Sequence, residues 1–417
     1  MRFLALIASL ITLAGCNWRT DPPTEAPTGL TATPGDGVVL LTWDALPDLT
    51  YWIFFQPGSS VTAAGAGSIV IRGAVQPRVV GGLANGTQYA FVMNATHNDS
   101  EAGPSSPVVV ATPRLGGASW VSGTPLTPQT LRAIAFNGSR FVVVGDAATI
   151  FAGDFNYGNS NPPGVSAWAP VPASSLPLGF TANLSGAVAS GGFLAVGRDG
   201  STINSPDGLT WTAGTPVTTV SGTAVNAVAV GAPSGLTTFV AVGDGGVIFT
   251  SNDTLTWTSV PPVTPSALLG VSFVNGLFVA TGASGTLLTS PNGSAWTVQA
   301  SNAPSGKALR GAAFANTATG PRYVAVGDAG TVVTSPDAVS WTAIAPLFPE
   351  SLNGVVFGTR FVAVGQAPPG QGARVAFSDD GLNWSLTSAG SSDLTSVVVA
   401  PSMYLAVGTA GANAVSR

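Results

Sequence analysis

From Leu131 onward, short apolar runs alternate with clusters of Gly, Asp, Ser and Asn, and the alternation repeats. The stretch from Phe239 to Trp257, FVAVGDGGVIFTSNDTLTW, shows the unit. An aromatic residue and an aliphatic run end at a glycine; a turn, a second apolar run and a second turn then lead to a tryptophan. Seven such openings begin at Phe141, Phe193, Phe239, Phe278, Tyr323, Phe361 and Tyr404. A further apolar run precedes each, starting at Leu131, Leu184, Val225, Leu268, Leu309, Leu352 and Leu394. Runs this short, bounded by turn residues, predict strands rather than helices.

Four antiparallel strands per repeat make one blade of a β-propeller. The third residue of each leading run is small: Ala133, Gly186, Ala227, Gly270, Gly311, Gly354 and Ser396. Small residues suit innermost strands, where backbones converge on an axis. Tryptophans 120, 168, 211, 257, 296, 341 and 384 are spaced by 48, 43, 46, 39, 45 and 43 residues, a blade-like period. The last repeat reaches its third strand without a tryptophan strand, while Ser119-Trp120-Val121 is a fourth strand with no repeat before it. Residues 118–417 are therefore expected to form a seven-bladed β-propeller whose last blade is completed by that N-terminal outer strand, which hides both edges.

Residues 27–113 carry a different pattern, with alternating runs at 29–33, 38–43, 51–55, 89–94 and 108–112 that predict a β-sandwich. Trp43 in the second strand, Leu83-Ala-Asn-Gly-Thr-Gln-Tyr89 at the place of a tyrosine corner, and Gly103-Pro-Ser before the last strand resemble a fibronectin type III module. Trp43 and Tyr89 are read as core. His97, the chain's one histidine, lies in a polar loop with no second histidine or thiol nearby, so it is read as a surface residue and not a metal ligand. The whole chain is expected to be all-β.

Composition agrees and adds a location. Charged residues are 8% of the chain against roughly 25% in an average domain. Hydrophobic residues are 45%, enough for large cores, so low charge does not mean disorder. Residues 1–15 hold Arg2, an apolar run and a small pair, the form of a signal peptide. Leu13-Ala14-Gly15-Cys16 resembles the bacterial lipobox, which implies lipidation of Cys16, anchoring to a membrane and, with Asn17 after the cysteine, the outer membrane of a two-membrane cell envelope. Residues 16–26 are Pro-rich and polar, a tether. Cys16 is the one cysteine, so no disulfide forms within the chain. Without Arg2 the chain has 13 basic against 19 acidic residues, a balance of −6 that gives no general attraction for nucleic acid.

The turn before five of the tryptophans has one form. It pairs Asp207 with Trp211, Asp253 with Trp257, Asn292 with Trp296, Asp337 with Trp341 and Asp380 with Trp384, each after a serine. The motif resembles the Asp-box of BNR-type repeats, known from sialidases, and together with Val-Gly-Asp-x-Gly it is similar to the photosystem II assembly-factor propellers, which are binding proteins. Its physical reading is local: an acidic side chain accepts backbone N–H groups, glycine permits positive φ, and tryptophan packs between sheets. Glycosidic catalysis needs an acid and a base or nucleophile, and the sialidase form adds a tyrosine, a glutamate and three arginines. The propeller region has one glutamate, Glu350, no histidine and no metal-ligand spacing, so no catalytic residue, metal or cofactor is assigned.

Ligand groups are sought instead on the face where the first strands begin. The second residues of those strands, Arg132, Ser185, Asn226, Leu269, Arg310, Asn353 and Thr395, are expected to ring the central mouth, with Asp146, Asp199, Asp244 and Asp328 farther out. Arginines there suit a carboxylate, phosphate or sugar acid. Insertions at 152–167, with Phe155 and Tyr157, and at 366–373 are further candidates. The expected function is a non-catalytic, envelope-anchored protein- or glycan-binding scaffold. The alternatives are a glycan-active enzyme of sialidase-like type and an assembly factor for an envelope complex.

Overall fold

The computed structural model describes residues 21–416 except 98, 100, 157–163, 166 and 218–222. The expected signal peptide, Cys16 and Tyr157 lie outside the described residues. The chain is all-β and divides into two compact units. One takes the chain up to Ala32 with Leu41–Arg78 and Gln88–Ala111; the other takes Thr33–Leu40, Val79–Thr87 and Thr112–Arg417.

In the first unit, an antiparallel sheet runs in the order Ile69–Ala74, Thr50–Pro57, Tyr89–Thr96, Val109–Ala111. Thr50–Pro57 pairs with Tyr89–Thr96 in unbroken register from Thr50↔Thr96 to Pro57↔Tyr89. All of Tyr89–Thr96 is buried, which explains its near-continuous apolar sequence. Trp43 is buried with its ring 5.5 Å from that of Tyr51.

In the second unit, seven antiparallel sheets follow one another among the described residues from Leu131 to Ser416. Their first strands are Leu131–Phe136, Leu184–Ala189, Val225–Gly231, Leu268–Val274, Leu309–Thr317, Leu352–Phe357 and Leu394–Ala400. Each packs beside the first strand of the next sheet, and Leu394–Ala400 packs beside Leu131–Phe136. Successive sheets enclose apolar clusters between them. One cluster joins Leu405 and Val407 of the last sheet to Leu131 and Phe141 of the first. Repeated four-stranded antiparallel sheets in such a cycle are the arrangement of a β-propeller.

The outer strands differ from the sequence reading. In sheets two to six they begin one residue after the tryptophan, at Thr212, Thr258, Thr297, Thr342 and Ser385. The indole ends the turn instead of sitting in the ladder. Likewise Val121–Ser122, not a strand centred on Trp120, completes the seventh sheet, by Ala414↔Ser122 and Val415↔Val121. Trp120 packs against the cluster between the sixth and seventh sheets. The insertion at 152–167 is partly a ladder: Phe155 pairs with Val165, and its ring lies 5.5 Å from Phe136.

Two glycine positions show why the repeat reads as it does. A Cβ on Gly243, which closes the second strand of the third sheet, would stand 2.0 Å from the Ala224 carbonyl oxygen. The small residue of the first strand is strictly needed at Gly270, where a Cβ would meet the Arg310 carbonyl oxygen at 2.1 Å. At Gly354 the nearest atom would be 3.7 Å away, an ordinary contact.

Candidate functional site

Every first strand in the second unit carries a register shift that skips its second residue. In the fourth sheet Leu268 pairs with Gly282 and Gly270 with Thr281, leaving Leu269 bulged. Arg132, Ser185, Asn226, Arg310, Asn353 and Thr395 are skipped in the same way. A bulge re-aims one side chain and leaves ladder groups unpaired. These bulges bring the predicted mouth residues to one cavity of about 300 Å³, floored by the small third residues.

Four of the mouth side chains are engaged across sheets. The Ser185 hydroxyl donates to the Val225 carbonyl at 2.8 Å, and Asn226 Nδ2 to the Leu268 carbonyl at 2.9 Å. Asn353 Nδ2 donates to the Leu394 carbonyl at 2.8 Å, and the Thr395 hydroxyl to the Leu131 carbonyl at 2.5 Å. Each acceptor belongs to the residue just before the bulge of the following sheet. The polar ring thus satisfies carbonyls of the next sheet, a fastening role that sequence spacing did not disclose.

The arginines are held by the turn aspartates of their own sheets. Arg132 grips Asp146 with two bonds, Nε–Oδ1 2.5 Å and Nη2–Oδ2 2.9 Å. Arg310 meets Asp328 through Nε at 2.9 Å and Nη2 at 2.8 Å. Burial works to raise the Asp328 pKa, but the Ala308 N–H and the Arg310 guanidinium outweigh it and hold the carboxyl below its ordinary value. Asp244 accepts from Asn226 at 2.7 Å, whereas Asp199 caps its own turn through Ser201. Side chains of Arg132 and Arg310 remain 35% and 37% exposed, so both guanidiniums keep a face toward the opening.

The Asp-box residues lie elsewhere and work on their own turns. Asp337 Oδ1 accepts the N–H groups of Val339 and Ser340 at 2.9 and 2.7 Å, and the Ser335 hydroxyl meets the same oxygen at 2.9 Å. Asp207, Asp253, Asn292 and Asp380 make the same bonds. The N–H of Ser340, then that of Val339, hold the Asp337 carboxyl down to about 2. For Asp380, burial opposes the shift, yet the N–H groups of Asn383 and Leu382 bring it to about 2. Trp211, Trp296 and Trp341 are buried, while Trp257 and Trp384 are half-buried.

One further box was missed because its parts are far apart in sequence. Ser416 Oγ accepts the N–H of Gly117 at 2.8 Å, as Ser205 Oγ accepts that of Gly208 at 2.7 Å. Trp120 Nε1 donates to the Gly117 carbonyl at 2.9 Å, as Trp296 Nε1 does to the Gly293 carbonyl at 2.7 Å. The signal was present in the sequence: Gly117 precedes Trp120 by the three residues that separate Gly208 from Trp211. In the first unit, His97 Nδ1 lies 3.2 Å from the Asp48 carbonyl oxygen. Among the described residues no group of three or more His, Cys, Asp or Glu side chains is placed to hold a metal.

No family model and no curated protein matches this chain. Among solved structures it is similar to YCF48 bound to D1 peptide, with 16% identity over 71% of this chain and 96% of that one, at a TM-score of 0.55. It is similar also to YCF48 from Cyanidioschyzon merolae, with 14% identity over 72% of this chain and 98% of that one, at a TM-score of 0.52. At such identities the likeness shows a shared fold, an all-β propeller.

Proposed function

We propose that the chain is a lipid-anchored, non-catalytic binding protein of the cell envelope, and that the mouth of its ring receives a carboxylate-bearing peptide segment of a protein partner. The reading includes a fibronectin type III sandwich, a seven-bladed propeller and attachment through Cys16, with outer-membrane sorting suggested by Asn17. The observation that carries it is the pair Arg132 and Arg310. Two oriented guanidiniums face one concave opening otherwise lined by neutral groups, and such groups bind carboxylates through fixed forks of N–H donors. YCF48 has been solved bound to a D1 peptide, which supports a peptide as the ligand of this kind of ring.

Asn226, Asn353, Asp146, Asp244 and Asp328 act in this reading by holding the guanidiniums and the sheets in place. Binding a partner segment in this way is also what an assembly factor for an envelope complex does. The glycan-active alternative draws no support from the Asp-box aspartates, because Oδ1 of each is bonded within its own turn. Affinity capture from membranes with the mature chain, followed by titration of peptides from the captured protein, tests the proposal. Arg132→Gln and Arg310→Gln should each weaken a carboxylate-bearing peptide by about tenfold. Unchanged affinity in the double variant, or turnover of sialosides by the wild type, overturns it.

A further inference from the structure

We propose that the cleft between the second and third sheets of the ring, away from the mouth, binds a short neutral oligosaccharide. The cleft lies beside the one turn that departs furthest from a packing pattern shared by four of the other sheets. At the turn before the tryptophan, Gly117, Gly208, Gly293 and Gly381 all have φ between 71° and 88°. A Cβ on these glycines would stand 2.6, 2.6, 2.9 and 2.9 Å from the Cγ2 of Val362, Val142, Val240 and Val324, respectively, each on the second strand of the preceding sheet. The positive φ and the close approach both suit a glycine here.

In the third sheet the same position is Thr254, with φ 63°. A β-branched residue is strained there, and its branches cannot enter the space that glycine leaves empty. A cleft of about 520 Å³ lies here between the second and third sheets, with Asn204 and Thr212 on one side and Asn252, Asp253 and Thr254 on the other. In the fifth sheet Ala338 holds this position with φ 61° and is buried, so a single methyl is accommodated. Thr254 is half-exposed at the cleft wall.

The turn is also braced. Asn252 replaces the proline found in Ser205-Pro206-Asp207, and its Nδ2 donates to the Thr237 carbonyl at 2.8 Å and the Thr238 hydroxyl at 3.2 Å. Two departures from the repeat in one turn, both at the wall of this cleft, mark a preformed recess of the size small ligands use.

Its lining defines the ligand. It contains no Lys, Arg or His, and its one charge is the Asp253 carboxylate, whose Oδ1 already accepts from Leu255 and Thr256 at 2.9 and 2.8 Å. An anion finds no partner there. The neighbouring outer strand, Thr212–Ala213, has two residues, too short a ladder to receive an added peptide strand. What remains is a set of hydroxyl and amide groups beside the buried side chains of Leu194 and Phe239, with Leu255 exposed at the rim as the apolar surface a ligand can reach. A sugar presents the matching surfaces, polar edges and C–H faces.

The test is calorimetric titration of the mature chain with maltotriose, cellotriose and N,N′-diacetylchitobiose, with sialyllactose and a lysine-rich peptide as contrasts. At least one neutral sugar should saturate the protein in the millimolar range or below. Thr254→Gly should weaken it at least tenfold while raising the melting temperature by about 2 °C, because the turn can then close on the second sheet. Asn204→Leu, which leaves the turn alone, should weaken it similarly. No saturation by any neutral sugar, equal binding of sialyllactose, binding of the lysine-rich peptide alone, or unchanged sugar affinity in both variants overturns the proposal.

Discussion

The Asp-box aspartates show how much one side chain can do for a turn while remaining in solvent. Asp337 has its carboxyl lowered from the ordinary 3.8 to about 2 by two backbone N–H groups, so the folded state favours its charged form. The contribution to stability is therefore complete above about pH 4 and is lost as pH falls toward about 2. Melting temperatures measured across that range should fall more steeply for the wild type than for Asp337→Asn. The indole at the end of the same turn is a packing residue: Trp341 is 2% exposed between the fourth and fifth sheets. Trp341→Ala should cost about 3–5 kcal/mol by urea unfolding. Two glycines give opposite expectations. Gly243→Ala drives a methyl into the Ala224 carbonyl and should cost about 1–3 kcal/mol. Gly354→Ala meets nothing closer than 3.7 Å and should be near neutral.

At the scale of the strand and turn, the period of the apolar runs located nearly every strand of the sheets, because alternation and turn chemistry are local properties. The tryptophan was less legible. A sequence cannot tell whether an aromatic residue after a turn joins the ladder or closes the turn, and in sheets two to six the strand starts one residue later. The bulge in each first strand was equally hidden. It arises where successive first strands meet side by side, and it turns Ser185, Asn226, Asn353 and Thr395 into fastenings on the next sheet. Asn353→Leu should strand the Leu394 carbonyl and cost about 1–3 kcal/mol, read as a lower urea midpoint with an unchanged slope. A larger effect on ligand affinity than on stability would instead make Asn353 a contact residue.

Across the whole molecule, closure rests on residues almost three hundred positions apart. Gly117 and Trp120 complete the box that begins at Ser416, and Val121–Ser122 pairs with Asn413–Ser416. Trp120→Ala should cost about 3 kcal/mol and speed amide exchange in Asn413–Ser416 before it does so in the inner strands. For the proposed anchor, Cys16→Ser should release soluble protein or leave an unprocessed precursor; a correctly cleaved Cys16→Ser chain still sedimenting with membranes would show another attachment. No helix among the described residues is long and apolar enough to cross a membrane. The sequence by itself determined the repeat, its strands, its turns and which residues reach the mouth, since these follow from side-chain period and from backbone demands a few residues long. Tertiary structure decided which polar groups are already bonded, which glycine is indispensable and where the ring opens a cleft. Those outcomes depend on distances between neighbouring sheets, which no pattern a few residues long can fix.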